Sequence, residues 1–100
     1  MLPPDFRWRA IGAADHDQPN QLLLDSVEVA RLYQRVDDHT WWISLNNQRG
    51  RELRKQKLCS GYERGKAGAE LWAERHQARL RAEVDQYLQR LEDRRSQVRR

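Results

Sequence analysis

From Ser60 to about Arg95, apolar or semi-apolar residues recur in steps of three and four: Ala69, Trp72, Ala73, His76, Leu80, Val84, Tyr87, Leu88 and Leu91. That spacing makes one stripe on a helix of 3.6 residues per turn. Glu70, Glu74, Arg75, Arg79, Arg81, Asp85 and Arg90 fall on the other face, and no proline interrupts the run. Ser60-Gly61-Tyr62-Glu63 has the S-x-x-E spacing of a capping box at the start. Arginines crowd the far end, where the helix dipole favours cations. One long amphipathic helix over residues 60–96 is predicted.

The first half of the chain has a different period. Phe6, Trp8 and Ala10 alternate with Arg7 and Arg9, the pattern of a half-buried strand, and Pro3-Pro4 suits the entry to an edge. Gly12 to Asn20 is turn-rich and without period. Gln21-Leu22-Leu23-Leu24 is a short apolar run, and Asp25-Ser26 sits where a two-residue hairpin turn belongs. Val27 to Val36 is β-branched and alternates in parts; the slip near Ala30–Leu32 marks a candidate bulge. A second turn at Asp37-Asp38-His39 leads into Thr40–Asn46, with Trp41, Ile43 and Leu45 on one side and Trp42, Ser44 and Asn46 on the other. The stretch 48–59 reads as a basic connector that becomes a short strand near Lys57–Cys59.

A sheet with one apolar face and a helix with one apolar stripe bury each other. The expected fold class is α+β: a three- to four-stranded antiparallel sheet over 5–47, packed by one long C-terminal helix, in a single domain of 1–100. The expected core joins Trp8, Trp41, Ile43, Leu45, Trp72 and His76. Gly65, Gly68 and Ala69 would let the helix backbone lie close to the sheet. Strands of six or seven residues span roughly 20 Å, whereas a helix of about 35 residues spans roughly 50 Å. The second half of the helix is therefore expected to overhang. Leu80, Val84, Tyr87 and Leu91 would form an exposed seam for a partner, a second copy of the chain being the simplest.

Charge sharpens this picture. Residues 1–47 hold four Arg against seven acids, a net of −3, while 48–100 hold fifteen Lys/Arg against eight acids, a net of +7. Five cations fall within nine residues: Arg49, Arg51, Arg54, Lys55 and Lys57. They are the candidate phosphate contacts, with Trp42 or Tyr62 near enough in sequence to stack on a base. The plain alternative is a solvated edge kept soluble by charge. The single cysteine, Cys59, excludes an internal disulfide and fits a reducing compartment. The N-terminus lacks a signal-peptide pattern and no apolar run is long enough to span a bilayer, so a cytoplasmic protein with no membrane partner is expected.

Chemistry is sparse. Asp15-His16-Asp17 and Asp37-Asp38-His39 could ligate a metal if they converged, but Asp-rich segments are ordinary turns, and no metal and no cofactor are expected. Cys59 precedes the helix with no histidine or acid placed to activate it. There is no GxSxG, P-loop, HExxH or paired Cx₂C motif, so a non-enzymatic protein is expected.

The order Leu22-x-Leu24-Asp25-Ser26-Val27-Glu28-Val29-Ala30, then Trp41-Trp42-x-x-Leu45, then Ser60-x-x-x-x-Gly65-Lys66-Ala67-x-Ala69-x-x-Trp72 resembles small accessory proteins of phages and prophages. The resemblance implies strand–hairpin–strand chains closed by a C-terminal helix. It also implies a binder that inhibits or redirects a host protein or ribonucleoprotein complex, in the manner of anti-defence or anti-CRISPR proteins. It carries no catalytic residue. A nucleic-acid-binding accessory protein using residues 49–57 is the alternative.

Overall fold

The computed structural model describes residues 2–11 and 18–98. Five strands form one antiparallel meander in chain order: β1 (Phe6–Arg9), β2 (Gln21–Leu24), β3 (Val27–Gln34), β4 (Trp41–Leu45) and β5 (Lys55–Cys59). One helix, α1 (Tyr62–Val98), crosses one face of the sheet. The α+β class and the long C-terminal helix are as expected. The strand count is not three or four but five, because the basic connector is half strand: Lys55 to Cys59 pairs along Leu45 to Trp41. Sheet pairing overrides the charged composition there, since an edge strand needs backbone partners on one side only.

Local chemistry explains the turns. Asp25 and His39 adopt positive φ (57° each), a conformation that Asp and His tolerate better than most residues. The Asp38 carboxylate accepts from the Thr40 hydroxyl at 2.7 Å and the Thr40 amide at 3.1 Å, closing the second turn. Those bonds hold its carboxyl below the ordinary carboxylate range. The bulge lies at Val29, just before the expected slip: Leu22 faces Ala30 while Leu23 faces Glu28. The extra residue turns both Val29 and Ala30 into the core, each with no exposed surface.

The core differs from the expected cluster. Ile43 and Leu45 are buried as expected, but the centre is aliphatic: Leu22, Leu24, Val29, Leu32, Leu80 and Val84. Trp8, Trp41 and Trp72 pack against its margin, and His76 is exposed. Broad rings fit a margin where part of the ring can stay wet.

The overhang argument fails for half of its residues. Leu80 and Val84 are fully buried and belong to the same cluster as Phe6, Val27 and Leu45. Two features lengthen the floor beneath them. Leu2 packs on the cluster, and Arg81 donates to the Asp5 carboxylate (2.9 Å) and the Pro4 carbonyl (2.7 Å), tying the N-terminal segment to the helix. The helix also bends at His76, where φ −112° and ψ 16° leave helical geometry. Tyr87 (37% exposed) and half-buried Leu91 remain outside the core, so these two are what the fold leaves of the expected seam.

The Gly61 carbonyl accepts the first helical bond from Gly65 N–H at 3.0 Å, so Gly61 rather than Ser60 occupies the cap position. The close approach expected for the glycines holds at one of them. A Cβ on Gly65 would lie 2.5 Å from Leu32 Cδ2 and 3.1 Å from Cys59 Sγ, whereas one on Gly68 meets nothing within 4 Å. Leu32 is fully buried, so its Cδ2 would have to shift within the packed interior. Gly65→Ala should therefore lower the melting temperature, since overpacking by about 1–3 kcal/mol outweighs the ~1 kcal/mol gained in helix propensity. Gly68→Ala should raise stability by about 0.5–1 kcal/mol. Thermal melts of the two variants check both; equal shifts of the same sign would overturn the close-approach account.

Candidate functional site

The helix lies over the central strands, and its two flanks are closed differently. Along β1 the gap is sealed. Trp8 Nε1 donates to Glu70 at 2.8 Å, Lys66 sits 5.7 Å above the Trp8 ring, and Arg81 covers Phe6 at 5.5 Å. Along β5 the gap stays open as a trough. Three cavities of about 300, 350 and 630 Å³ follow one another. The first and second share Leu45, Lys57 and Trp72; the second and third share Arg49 and Leu53.

One wall is a helix stripe with steps of four, four, four, three, four, four, three and four: Arg64, Gly68, Trp72, His76, Arg79, Glu83, Tyr87, Arg90 and Arg94. It runs beside the core stripe of Ala69, Ala73, Leu80 and Val84. The other wall is β5, whose Lys55 and Lys57 sit opposite Leu45 and Ile43 and so project to the helix side of the sheet. Sheet alternation thus turns these two lysines into the trough. The segment before β5 completes the wall with Arg49, Leu53 and Arg54, around a short 3-10 turn at Arg51–Leu53.

Of the five expected phosphate contacts, Arg54, Lys55 and Lys57 line the trough, while Arg51 does not. Arg49 lines it too but is occupied. Its guanidinium donates to both Glu83 oxygens, Nη2 at 2.6 Å and Nε at 3.0 Å. Gln48 adds a bond at 2.6 Å, and Arg79 lies 3.3 Å away. Arg49 is therefore a clamp between connector and helix rather than a free cation. The two sets of candidates, remote in sequence, meet at the third cavity: Arg49 and Arg54 from the connector, Tyr87 and Leu91 from the helix. Neither Trp42 nor Tyr62 lines the trough. Trp42 is on the outer face of the sheet, and Tyr62 packs against Trp41 at 5.3 Å. The aromatic residues of the trough are Trp72, His76 and Tyr87. Arg64, Arg79, Arg90 and Arg94 were not among the expected contacts; their helical spacing relative to Trp72 is the signal that finds them.

The trough is electrostatically one-sided. Among the described residues its acids are Glu83 and Glu28, and Glu28 is engaged by Gln21, Arg31 and Asn47 at 2.7–2.9 Å. Hydrogen bonds from Arg49 foremost, then Gln48 and Arg79, pull the Glu83 carboxyl down to about 2 against an opposing effect of burial. The same contact pushes Arg49 further up. Both therefore stay charged throughout the physiological range, and Arg54, Lys55, Lys57, Arg64, Arg90 and Arg94 face the trough with no acid among the described residues paired to them.

The other candidate groups stand apart. Cys59 is half-buried, and burial raises its thiol above the ordinary value, against a weaker lowering by Lys57. That is opposite to what a nucleophile needs. His39 is a turn residue whose carbonyl accepts from Gln34 at 3.0 Å. His16 lies outside the described residues. Among the described residues no group of three or more His, Cys, Asp and Glu could hold a metal, and no helix is long and apolar enough to cross a membrane. No protein-family model matches the chain, nor does any curated protein or solved structure.

The clamp makes stability pH-dependent. The folded-state carboxyl titrates near 2, below its ordinary value of 4.5, so its contribution is present above 4.5 and lost as pH falls towards 2. Allowing for its partial exposure, Glu83→Gln should cost about 1–2 kcal/mol at neutral pH. The difference from the parent should shrink between pH 4.5 and 2, as measured by urea unfolding at stepped pH. A difference that is unchanged across that window would show that the clamp is not the source.

Proposed function

We propose that this chain is a non-enzymatic accessory protein, of the kind carried by phages and prophages, that binds single-stranded nucleic acid in the trough between β5 and α1. The observation that carries the reading is the row of unneutralised cations along a groove that also presents aromatic rings. Binding of single strands without strong sequence preference uses this combination: cations that follow the phosphates and rings that take the bases. The flank opposite is sealed by a tryptophan, an acid and two cations engaged with one another, so the charge is not spread evenly around the helix.

The test is fluorescence anisotropy with a labelled single strand across a salt series. With about four phosphates contacted, log K should fall against log [salt] with a slope of about −3. Replacing Lys55, Lys57 and Arg64 by Ser should weaken binding to every sequence alike and flatten the slope by about 2. Absence of binding at low salt would sink the reading.

A second surface supports contact with a protein. On the outer face of the sheet Tyr33 and Trp42 sit side by side, with Leu58 beside Trp42 and 62% exposed. Tyr33 donates to Gln56 at 3.1 Å, which fixes its ring in the patch. A host ribonucleoprotein complex would offer an apolar protein surface to this face and a strand to the trough. Under this reading, a complex captured from bacterial lysate should persist in part after nuclease treatment, and Leu58→Asp should remove that nuclease-resistant part. Complete loss with nuclease alone would leave the outer face without a role in binding.

A further inference from the structure

The free edge of the sheet at β5 offers backbone groups as well as side chains. The Arg35 amide donates to the Thr40 carbonyl at 2.9 Å, which makes these two a hydrogen-bonded pair of the β3–β4 ladder. Such pairs alternate with non-bonded ones along an antiparallel ladder. Trp42 and Ser44 therefore turn their backbone groups to β3, while Ile43 and Leu45 turn theirs to Lys57 and Lys55 of β5. The N–H and C=O of Gln56 and Leu58 are left pointing away from the sheet, and no described residue bonds to them. The opposite edge is less open: β1 is four residues long, and its Phe6 amide is taken by the Pro3 carbonyl at 3.3 Å.

The side chains of β5 select what can pair there. Lys55 and Lys57, on the helix side, repel a strand that brings cations opposite them, a second copy of β5 included. They attract one that brings acids. On the outer face Leu58, 62% exposed, carries the apolar corner of Tyr33 and Trp42 out to the edge. We infer that β5 receives a sixth strand from a partner protein: an extended, antiparallel segment with acids opposite Lys57 and Lys55 and an apolar residue opposite Leu58. Read from its N-terminus, against Cys59 back to Lys55, the segment is x-apolar-acid-x-acid. Its residues opposite Gln56 and Leu58 make the hydrogen-bonded pairs. The acid opposite Lys57 falls at a non-bonded pair, where strands bring side chains closest, with Cα atoms about 4.5 Å apart. Main-chain bonds supply the affinity in this mode of recognition, and alternate side chains supply the specificity.

The sixth strand deepens the reading of the outer face as a protein contact, and the test separates the two. Fluorescence anisotropy is measured on the full chain with a labelled peptide that has Thr-Ile-Glu-Thr-Glu at its centre. A second peptide carries Lys in place of both Glu. Two more are N-methylated, one at Ile and the second Thr, whose amides would face β5, the other at the first Glu, whose amide would face away. The acidic peptide should bind, and the lysine peptide roughly tenfold more weakly, since each replacement exchanges a cross-strand attraction for a repulsion. Lys57→Glu, at an exposed position, should reverse that preference. Methylation at Ile and Thr should abolish binding, and methylation at Glu should leave it unchanged. No binding of the acidic peptide overturns the sixth strand, and equal binding of the lysine peptide does the same. Binding that survives methylation at Ile and Thr is charge attraction to the trough alone, and also overturns it. A free protein that scatters light as a dimer and excludes the peptide gives the edge to a second copy, again overturning it. Failure of the peptide with nuclease-resistant capture intact leaves the outer-face reading standing; failure of both removes both.

Discussion

The architecture depends on how closely the first two turns of the helix approach the sheet. At Gly65 the helix backbone rests against Leu32 and Cys59, with no space for even a methyl group. Ala69 and Ala73 follow on the same face and are almost fully buried. Small residues on the helix let the leucines of β2 and β3 fill the interlayer space beneath its first turns, at the density that protein interiors require. The large rings are thereby displaced to the margins. Trp8 covers the β1 flank and Trp72 the β5 flank, and each has its polar or π surface available where the layers end.

The two margins then diverge because of what surrounds each ring. Trp8 is met by Glu70 and Lys66, and the nearby Arg81 is engaged with Phe6, Asp5 and Pro4. These groups satisfy one another. Among the described residues lining the cavities beside Trp72, the ionic groups are all basic: Arg49, Arg64, Arg79 and the lysines of β5. The clamp of Arg49 on Glu83 fixes the width of the trough, because it ties the segment entering β5 to the helix beyond its bend. An edge strand rich in lysine discourages pairing with a second copy through like-charge repulsion. In the proposed function the same lysines also meet an anionic polymer, so that one set of residues would serve both ends.

The outer face of the sheet is organised by a different interaction. Gln21, Glu28, Arg31, Ser44 and Asn47 form a cross-strand network around the Glu28 carboxylate. That network accounts for the burial of Gln21 and Ser44, polar residues on a face without a covering helix. Arg9 extends it at 2.9 Å from Gln21. Basic residues here are structural, and what remains open is the apolar corner of Tyr33, Trp42 and Leu58. The protein thus carries two unlike surfaces: a basic, aromatic trough beside the helix, and an outer sheet face that joins a polar network to an apolar corner.

Periodicity alone determined the helix, the four strands of the first half and both hairpin turns, because each is a local pattern of side-chain burial or turn chemistry. The basic cluster and the run of small residues at Gly65, Gly68 and Ala69 were legible for the same reason, but only the packing singles out Gly65 from Gly68. What lay beyond local pattern was decided by tertiary contact. The fifth strand forms because β4 offers an edge; the sequence marked its end, near Lys57–Cys59, but not its pairing along β4 or its full length. Leu80 and Val84 are core residues because the N-terminal segment and the bend at His76 bring a floor beneath them, and neither follows from strand length. The trough required the register that sets Lys55 and Lys57 opposite Leu45 and Ile43, together with a helix stripe one position away from the core stripe. Residues about twenty to forty positions apart meet there, and only the packing of helix on sheet brings their charges to a common groove.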